Sequence, residues 1–348
     1  MSENNFIKAA LLTVVLTIGC ILCYELLLRQ HGYTTSYDDD ERLWANTRNE
    51  VYQPADEAVV FVGSSRIKFD LDIPTWKQET GTNAVQLAMV GSNPVSLIHD
   101  LAEDKNFKGR LVVDVTEVLF FNDGAPFQVR PSKGLNAFKK QTPSEKASFQ
   151  FSHVLESNLV LLDKDYFSMD AYLRKFGVKN RAGVASNDPL PFPWEFDLTH
   201  YDRQSQMHER FVKDTNLQNQ VRMIWASLGR AMKSPPPTPA KLDGMFAAVK
   251  ADVDKIKARG GDVLFVRTPS SGPFLMGEQQ GYPREKYWNR LLAETNCPGI
   301  HFLDQESTAH FNCPEFSHLS PADAVIFTKT LAQLITEKGW KFSNKKTI

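Results

Sequence analysis

The sequence predicts an α/β domain with a mostly parallel sheet, joined to a single N-terminal transmembrane helix. Three observations predict it. The chain opens with a long, almost uniformly apolar stretch. Five short runs rich in β-branched residues follow, each ending near glycine or polar residues. Between them lie segments with helical apolar spacing and helix-capping residues, and alternation of this kind argues for parallel strands buried on both faces.

The apolar stretch runs from Ala9 to Leu28, with Tyr24 and Glu25 near its far end. A helix of about 20 apolar residues spans a bilayer. A cleaved signal peptide has a shorter apolar core, about 7–15 residues, and no A-x-A site follows Glu25. Leu16 to Cys20 matches a lipoprotein signal poorly, since Thr17 fits badly and the apolar run continues past Cys20. An uncleaved single-pass anchor over residues 1–29 is therefore expected. Lys8 and Arg29 flank the run and barely decide orientation. A short tail inside and a large domain outside is the usual arrangement. Residues 30–57 are polar and read as a stalk, and 58–348 as the α/β domain.

The predicted strands are Ala58–Val62, Ala84–Met89, Arg110–Val115, Asp262–Val266 and Ile300–Leu303. The clearest helix runs from Pro239 to Arg259. Thr238 precedes it as a cap, Gly260-Gly261 stops it, and Phe246, Val249, Val253 and Ile256 form its apolar face. The last helix starts at Ser320-Pro321-Ala322-Asp323, a cap with an acid three residues on, and Val325, Leu331, Leu334 and Ile335 mark its apolar face. Between about 121 and 237 the alternation breaks into a stretch rich in Phe, Trp, Asn, Asp and Pro. This reads as a large, partly helical insertion ending in the linker Ser234-Pro235-Pro236-Pro237.

Composition narrows the function. The 348 residues are 42% hydrophobic and 23% charged with net charge −1, which suits a globular core and gives no support for nucleic-acid binding. No Walker loop, no G-x-G-x-x-G after a strand and no fixed-period repeat is present.

In an open parallel sheet, ligands bind beyond the carboxyl ends of the strands. The residues there are Gly63-Ser64-Ser65-Arg66 after the first run and Gly91-Ser92-Asn93 after the second. Glu315-Phe316-Ser317-His318-Leu319-Ser320 lies before the last helix. A serine hydroxyl needs a base to take its proton, histidine titrates near neutrality, and a carboxylate orients the imidazole. Glu315, three residues before His318, is within a turn's reach of the ring, and Asp304 is the reserve carboxylate.

In order, spacing and placement these three pieces resemble the SGNH (GDSL-like) hydrolase superfamily. The resemblance covers about Ala58–Arg110 and Asp262–Lys338. It implies a three-layer α/β/α sandwich, Ser65 as nucleophile in the place of the family's G-D-S serine, and Gly91 as an oxyanion-hole glycine. Glu315-Phe316-Ser317-His318 stands for the family's D-x-x-H block, with glutamate replacing aspartate. The family's G-x-N-D block is not matched. The corresponding strand end reads Asp114-Val115-Thr116-Glu117, so its oxyanion asparagine is missing, and Asn93 or Asn122 would have to substitute.

The Gly-Ser-Ser opening and the anchor look closer to the membrane-anchored, cell-envelope acylation branch, the DltD-like proteins. That likeness implies a Ser–His–(Glu) esterase or O-acyltransferase without cofactor, on the outer side of a bacterial-type plasma membrane. An acylated glycan or other envelope polymer would be its substrate and a membrane-bound O-acyltransferase its partner. The rival expectation is a catalytically inactive module of the same fold that docks on such an acyltransferase.

Other constellations are expected to be structural. Cys20 and Cys23 lie in the apolar run. Cys297 and Cys313 would form a disulfide or remain free thiols. With His301 and His310 they supply zinc-type ligands, but in no common finger spacing. Phe192, Trp194, Phe196, Tyr201 and Trp225 form a local core or a sugar-binding surface. Arg66 either binds an acidic substrate group or pairs at the surface, and Arg267 to Gly272 either shape the pocket or form a plain loop.

Overall fold

A computed structural model describes residues 3–175, 192–231 and 236–342. The chain divides into two units, one formed by 1–38 with 143–187, the other by 39–142 with 188–348.

The second unit is the α/β domain. Its strands are β1 (Ala58–Val62), β2 (Asn83–Gln86), β3 (Arg110–Asp114), β4 (Leu198–Thr199), β5 (Ser205–Gln206), β6 (Asp262–Arg267) and β7 (Gly299–His301). Five of them form one sheet in the order β2-β1-β3-β6-β7, every neighbouring pair parallel. β4 and β5 make a separate antiparallel pair. The predicted runs become the sheet strands with small shifts. Leu87–Met89 lies past the end of β2, and Phe302–Asp304 turns into a 3₁₀ segment.

Alternate residues of the strands face opposite sides, as strand pleating requires. Val60, Val62, Leu111, Val113 and Phe265 join one apolar cluster with Leu97, Phe246, Val253 and Trp288. Val59, Phe61, Val112, Leu264 and Val266 join another with Ile67, Trp76, Phe327, Leu331 and Ile335. The helix Pro239–Ala258 buries the predicted face and adds Leu242. The helix Pro321–Glu337 is capped by Ser320, whose hydroxyl accepts the Asp323 N–H. It turns Phe327 inward, while Val325 is only half-buried.

The expected stalk differs from the structure from Asp39 onward. Glu41–Arg48 is a helix of the α/β unit and Trp44 lies in its core. The Trp44 indole N–H donates to Leu87 O at 3.0 Å, and Arg48 pairs with Asp100 and Asp104. A polar-looking segment thus docks through one large aromatic and one paired guanidinium.

The expected insertion is likewise not one body. Its helix Ala125–Lys140 stays in the α/β unit, with Gly134 against Trp44 and Met89. Its described residues 143–175 belong with the N-terminal helix, and 192–231 return to the α/β unit. Ser234 and Pro235 of the expected linker lie outside the described residues.

Cys297 and Cys313 are free and buried in different clusters, so they form no disulfide. Their separation follows from the sheet, because the two clusters take alternate strand residues. His310 is exposed, and Cys297, His301, His310 and Cys313 do not converge.

In the first unit the helix Glu3–Gln30 is long and apolar enough to cross a membrane, and Phe6 to Leu22 present exposed apolar side chains along it. The remainder of its described part comprises the helices Pro143–Glu156, Lys164–Phe167 and Met169–Lys175 and a 3₁₀ turn, Val160–Leu162.

Candidate active site

The strand order places the topological switch between β1 and β3, the position where open parallel sheets bind ligands. Pairing between the first two strands continues past their ends, with Leu87 N–H donating to Phe61 O at 2.8 Å and Met89 N–H to Gly63 O at 3.2 Å. The segments leading to Ser65 and Gly91 therefore leave the sheet side by side. Gly63 is required by close approach. A Cβ there would lie 2.5 Å from Asp114 Cβ and 2.8 Å from Ile67 Cγ2. Ser64 is buried, and its hydroxyl meets Thr116 Oγ1 at 2.8 Å and Asp114 Oδ2 at 3.3 Å. With Ser64 fixed to the end of β3, Ser65 begins the helix Ser65–Asp70 and stays partly exposed. Gly91 adopts φ +60°, a left-handed turn that favours glycine, and is exposed.

The loop before the last helix is built around Glu315, which is fully buried. One carboxylate oxygen accepts the His318 N–H at 2.7 Å, His318 Nδ1 at 2.8 Å and the Ser317 N–H at 3.3 Å. The other accepts the Trp225 indole N–H. A carboxylate in this position fixes the proton of the imidazole on Nδ1 and leaves the Nε2 lone pair available. Nε2 is buried without a hydrogen-bond partner among the described residues. Phe316 holds φ +79°, an uncommon conformation for a residue with a side chain. Its carbonyl accepts the Ser271 N–H, and Arg222 lies over its ring at 4.5 Å.

Three contacts join this loop to the Ser65 helix. The His318 ring packs on Phe69 with centroids 4.5 Å apart. Phe69 is one helical turn after Ser65, so both lie on one helix face. Arg66 Nε donates to Ser317 Oγ at 3.3 Å, and the Leu319 N–H donates to Asp70 Oδ1 at 2.9 Å. Phe196 and Trp225 complete an aromatic surround of the imidazole, at 5.8 Å and 6.1 Å.

Charged groups lie buried behind the serine. Glu278 pairs with both Arg66 and Arg267, and Arg267 Nε donates to Glu117 at 3.1 Å. Burial opposes the charge on Glu278, but the two guanidinium groups hold its pKa at about 2. Burial pushes Glu117 above the usual carboxylate range. Burial also raises Asp114, and it raises Asp70 far above that range, with the nearby Asp114 and Glu315 carboxylates adding to the Asp70 shift.

The structure thus brings Ser65, His318 and Glu315 into one neighbourhood, with Gly91 on the adjacent strand end. Asn93 does other work. Its two amide hydrogens go to Phe120 O and Asn122 O, both at 2.9 Å, and its backbone N–H to Phe127 O. The Asn122 side chain accepts the Gly124 N–H. Both asparagines hold the chain that follows β3. Asp304 forms an exposed pair with Arg284. Sequence reasoning did not foresee the partnership of Trp225 with Glu315, the packing of Phe69 on His318, or the buried carboxyl of Asp70. It named Arg66 and Arg267 without foreseeing that they share Glu278.

No family model matches the chain, and no curated protein matches it either.

Proposed function

We propose that the chain is a membrane-anchored serine esterase or O-acyltransferase of the SGNH kind, acting through an acyl-enzyme on Ser65. The observation that carries this reading is the state of His318. Its Nδ1 is engaged by a buried carboxylate, its Nε2 is unpartnered, and its ring rests on the helix face that Ser65 opens. A three-layer α/β/α sandwich of the SGNH kind is the fold reading that goes with it. The all-parallel sheet and the apolar clusters formed by opposite strand faces support that architecture.

In this mechanism Ser65 Oγ attacks an ester carbonyl while His318 Nε2 takes the hydroxyl proton. Glu315 stabilises the imidazolium. The oxyanion faces the backbone N–H groups of Ser65 and Gly91. The proton then passes from Nε2 to the leaving alkoxide, and the C–O bond to the leaving group breaks. Water or a sugar hydroxyl then attacks the acyl carbonyl while the same nitrogen takes its proton, the Ser65 Oγ–acyl bond breaks, and Nε2 returns the proton to Ser65 Oγ. Phe196 and Trp225 beside His318 limit water there, which favours transfer. The apolar helix supports attachment to a membrane. The outer face of a plasma membrane, an acylated envelope polymer as substrate and a membrane-bound O-acyltransferase as partner enter the proposal through the likeness to the DltD-like branch.

Fluorophosphonate labelling of the full-length chain in detergent tests the proposal. Labelling mapped to Ser65, and abolished by Ser65→Ala and by His318→Ala, is the expected result. A folded wild-type protein that takes no label would overturn it and favour the inactive docking module.

A further inference from the structure

The first unit exposes apolar side chains on more than its N-terminal helix. In the helix Pro143–Glu156, Phe149 is buried and His153 bonds the Tyr37 hydroxyl through Nδ1 at 2.8 Å. These two residues, four apart, define the side of the helix that faces its own unit. Phe151, Val154 and Leu155 point the other way, and Phe151 is 79% exposed. In the helix Met169–Lys175, Met169 and Leu173 repeat the pattern four residues apart, with Met169 75% exposed.

The segment carrying both stripes is attached to one particular level of the N-terminal helix. Glu25 accepts the N–H groups of Val160 and Leu161, each at 3.0 Å. Arg29 donates to Asn158 O at 2.8 Å and Tyr24 pairs with Tyr172 through the hydroxyls. Tyr33 packs edge-on against Phe167 at 5.0 Å. From Ala9 to Leu28 the helix rises about 28 Å, close to the thickness of a bilayer's hydrocarbon core. The attachment begins in the last turn of that run, at Tyr24 and Glu25, within the depth of the boundary between acyl chains and headgroups. Tyr24 meets Tyr172, Tyr33 and Tyr37 follow the end of the helix, and tyrosine is enriched at membrane–water interfaces.

We propose that residues 143–175 form a collar that lies in the lipid interface around the exit of the anchor. The stripes Phe151–Val154–Leu155 and Met169–Leu173 enter the boundary between headgroups and acyl chains, as amphipathic helices do. The occupant of this apolar surface is the bilayer, because the segment is fixed to the turn of the helix that leaves it. The inference rests on the anchor reading and is independent of the chemistry at Ser65.

Spin labelling of the full chain in lipid nanodiscs tests it. Cys20, in the Cys23→Ala variant, reports the anchor. Phe151→Cys, Leu155→Cys and Leu173→Cys are each labelled in the Cys20→Ala, Cys23→Ala background. The expected result is that all three collar sites, like Cys20, collide preferentially with oxygen over a water-soluble nickel chelate. Collar sites that favour the nickel chelate, with Cys20 in lipid, overturn the collar alone. Collar sites shielded from both reagents overturn it in favour of a protein partner. A Cys20 label that favours the nickel chelate overturns the anchor reading and the collar with it.

Discussion

Arg66 Nε donates to Ser317 Oγ at 3.3 Å, so the residue after the candidate nucleophile holds the residue before the candidate base. Arg66 is itself held by Glu278, which also binds Arg267. Two buried guanidinium groups therefore share Glu278, and Arg267 also pairs with the buried Glu117. Removing one partner of a buried ion pair costs about 3–5 kcal/mol, because the remaining charge stays desolvated. Glu278→Gln is expected to lower the unfolding free energy by about that amount, measured by urea denaturation. A loss below about 1 kcal/mol, the range of exposed pairs, would show that the network is solvated.

The link between Glu315 and His318 predicts a rate effect separable from stability. Glu315→Gln keeps the volume but offers one acceptor and one NH₂ group to four N–H donors. By analogy with loss of the orienting carboxylate in Ser–His–Asp triads, labelling of Ser65 is expected to slow by about 10³–10⁴-fold. Trp225→Phe removes one donor to Glu315 and leaves the His318 contacts to that carboxylate, so a smaller slowing, about 10-fold, is expected. The rates are read from time courses of fluorophosphonate incorporation. Equal rates for Glu315→Gln and wild type would mean that the carboxylate only folds the loop.

These residues differ in how far they could be read from the sequence. Strands such as Val59–Val62 and Leu111–Val113 are visible because burial on both faces leaves a continuous apolar run. The Ser320 cap and the three-residue spacing of Glu315 and His318 are local geometry and so are legible as well. Trp44 was not legible, since its helix is mostly polar and docks by long-range contacts to Leu87, Asp100 and Asp104. Trp225 lies 90 residues from the glutamate it binds, and no pattern along the chain records that meeting. Asn93 misled for a related reason. A strand-end asparagine near a candidate serine suggests an oxyanion donor, but packing commits its amide to Phe120 and Asn122.

Gly63 makes a steric prediction. The nearest atoms to an added Cβ, on Asp114 and Ile67, belong to buried side chains close to their own backbones. Neither can move without disturbing β3 or the Ser65 helix. Gly63→Ala is expected to destabilise by about 1–3 kcal/mol, as overpacking does. It should also slow labelling of Ser65, because Ser64 would lose its seat on Asp114 and Thr116. Thermal unfolding beside labelling rates checks both. An unchanged midpoint would mean that the β1 end has room to shift.

Asp70 gives the pH dependence of the site. Burial, with the Asp114 and Glu315 carboxylates adding to it, holds its pKa far above the usual carboxylate range, so the folded protein keeps a proton that the unfolded chain releases. With more protons bound in the folded state, unfolding free energy falls as pH rises. The contribution of Asp70 is fully present below its unfolded pKa, about 3.9, and is lost as pH climbs toward the folded value. Asp70→Asn retains an acceptor for the Leu319 N–H and removes the titration. The variant is expected to gain stability over wild type progressively as pH rises above about 4, shown by urea denaturation across the neutral range. Comparison with wild type isolates Asp70 from Glu278, whose lowered pKa acts with the opposite sign. A difference that stays constant across that range would mean that Asp70 is ionised in the folded protein, with the Leu319 N–H and a solvent path sustaining its charge.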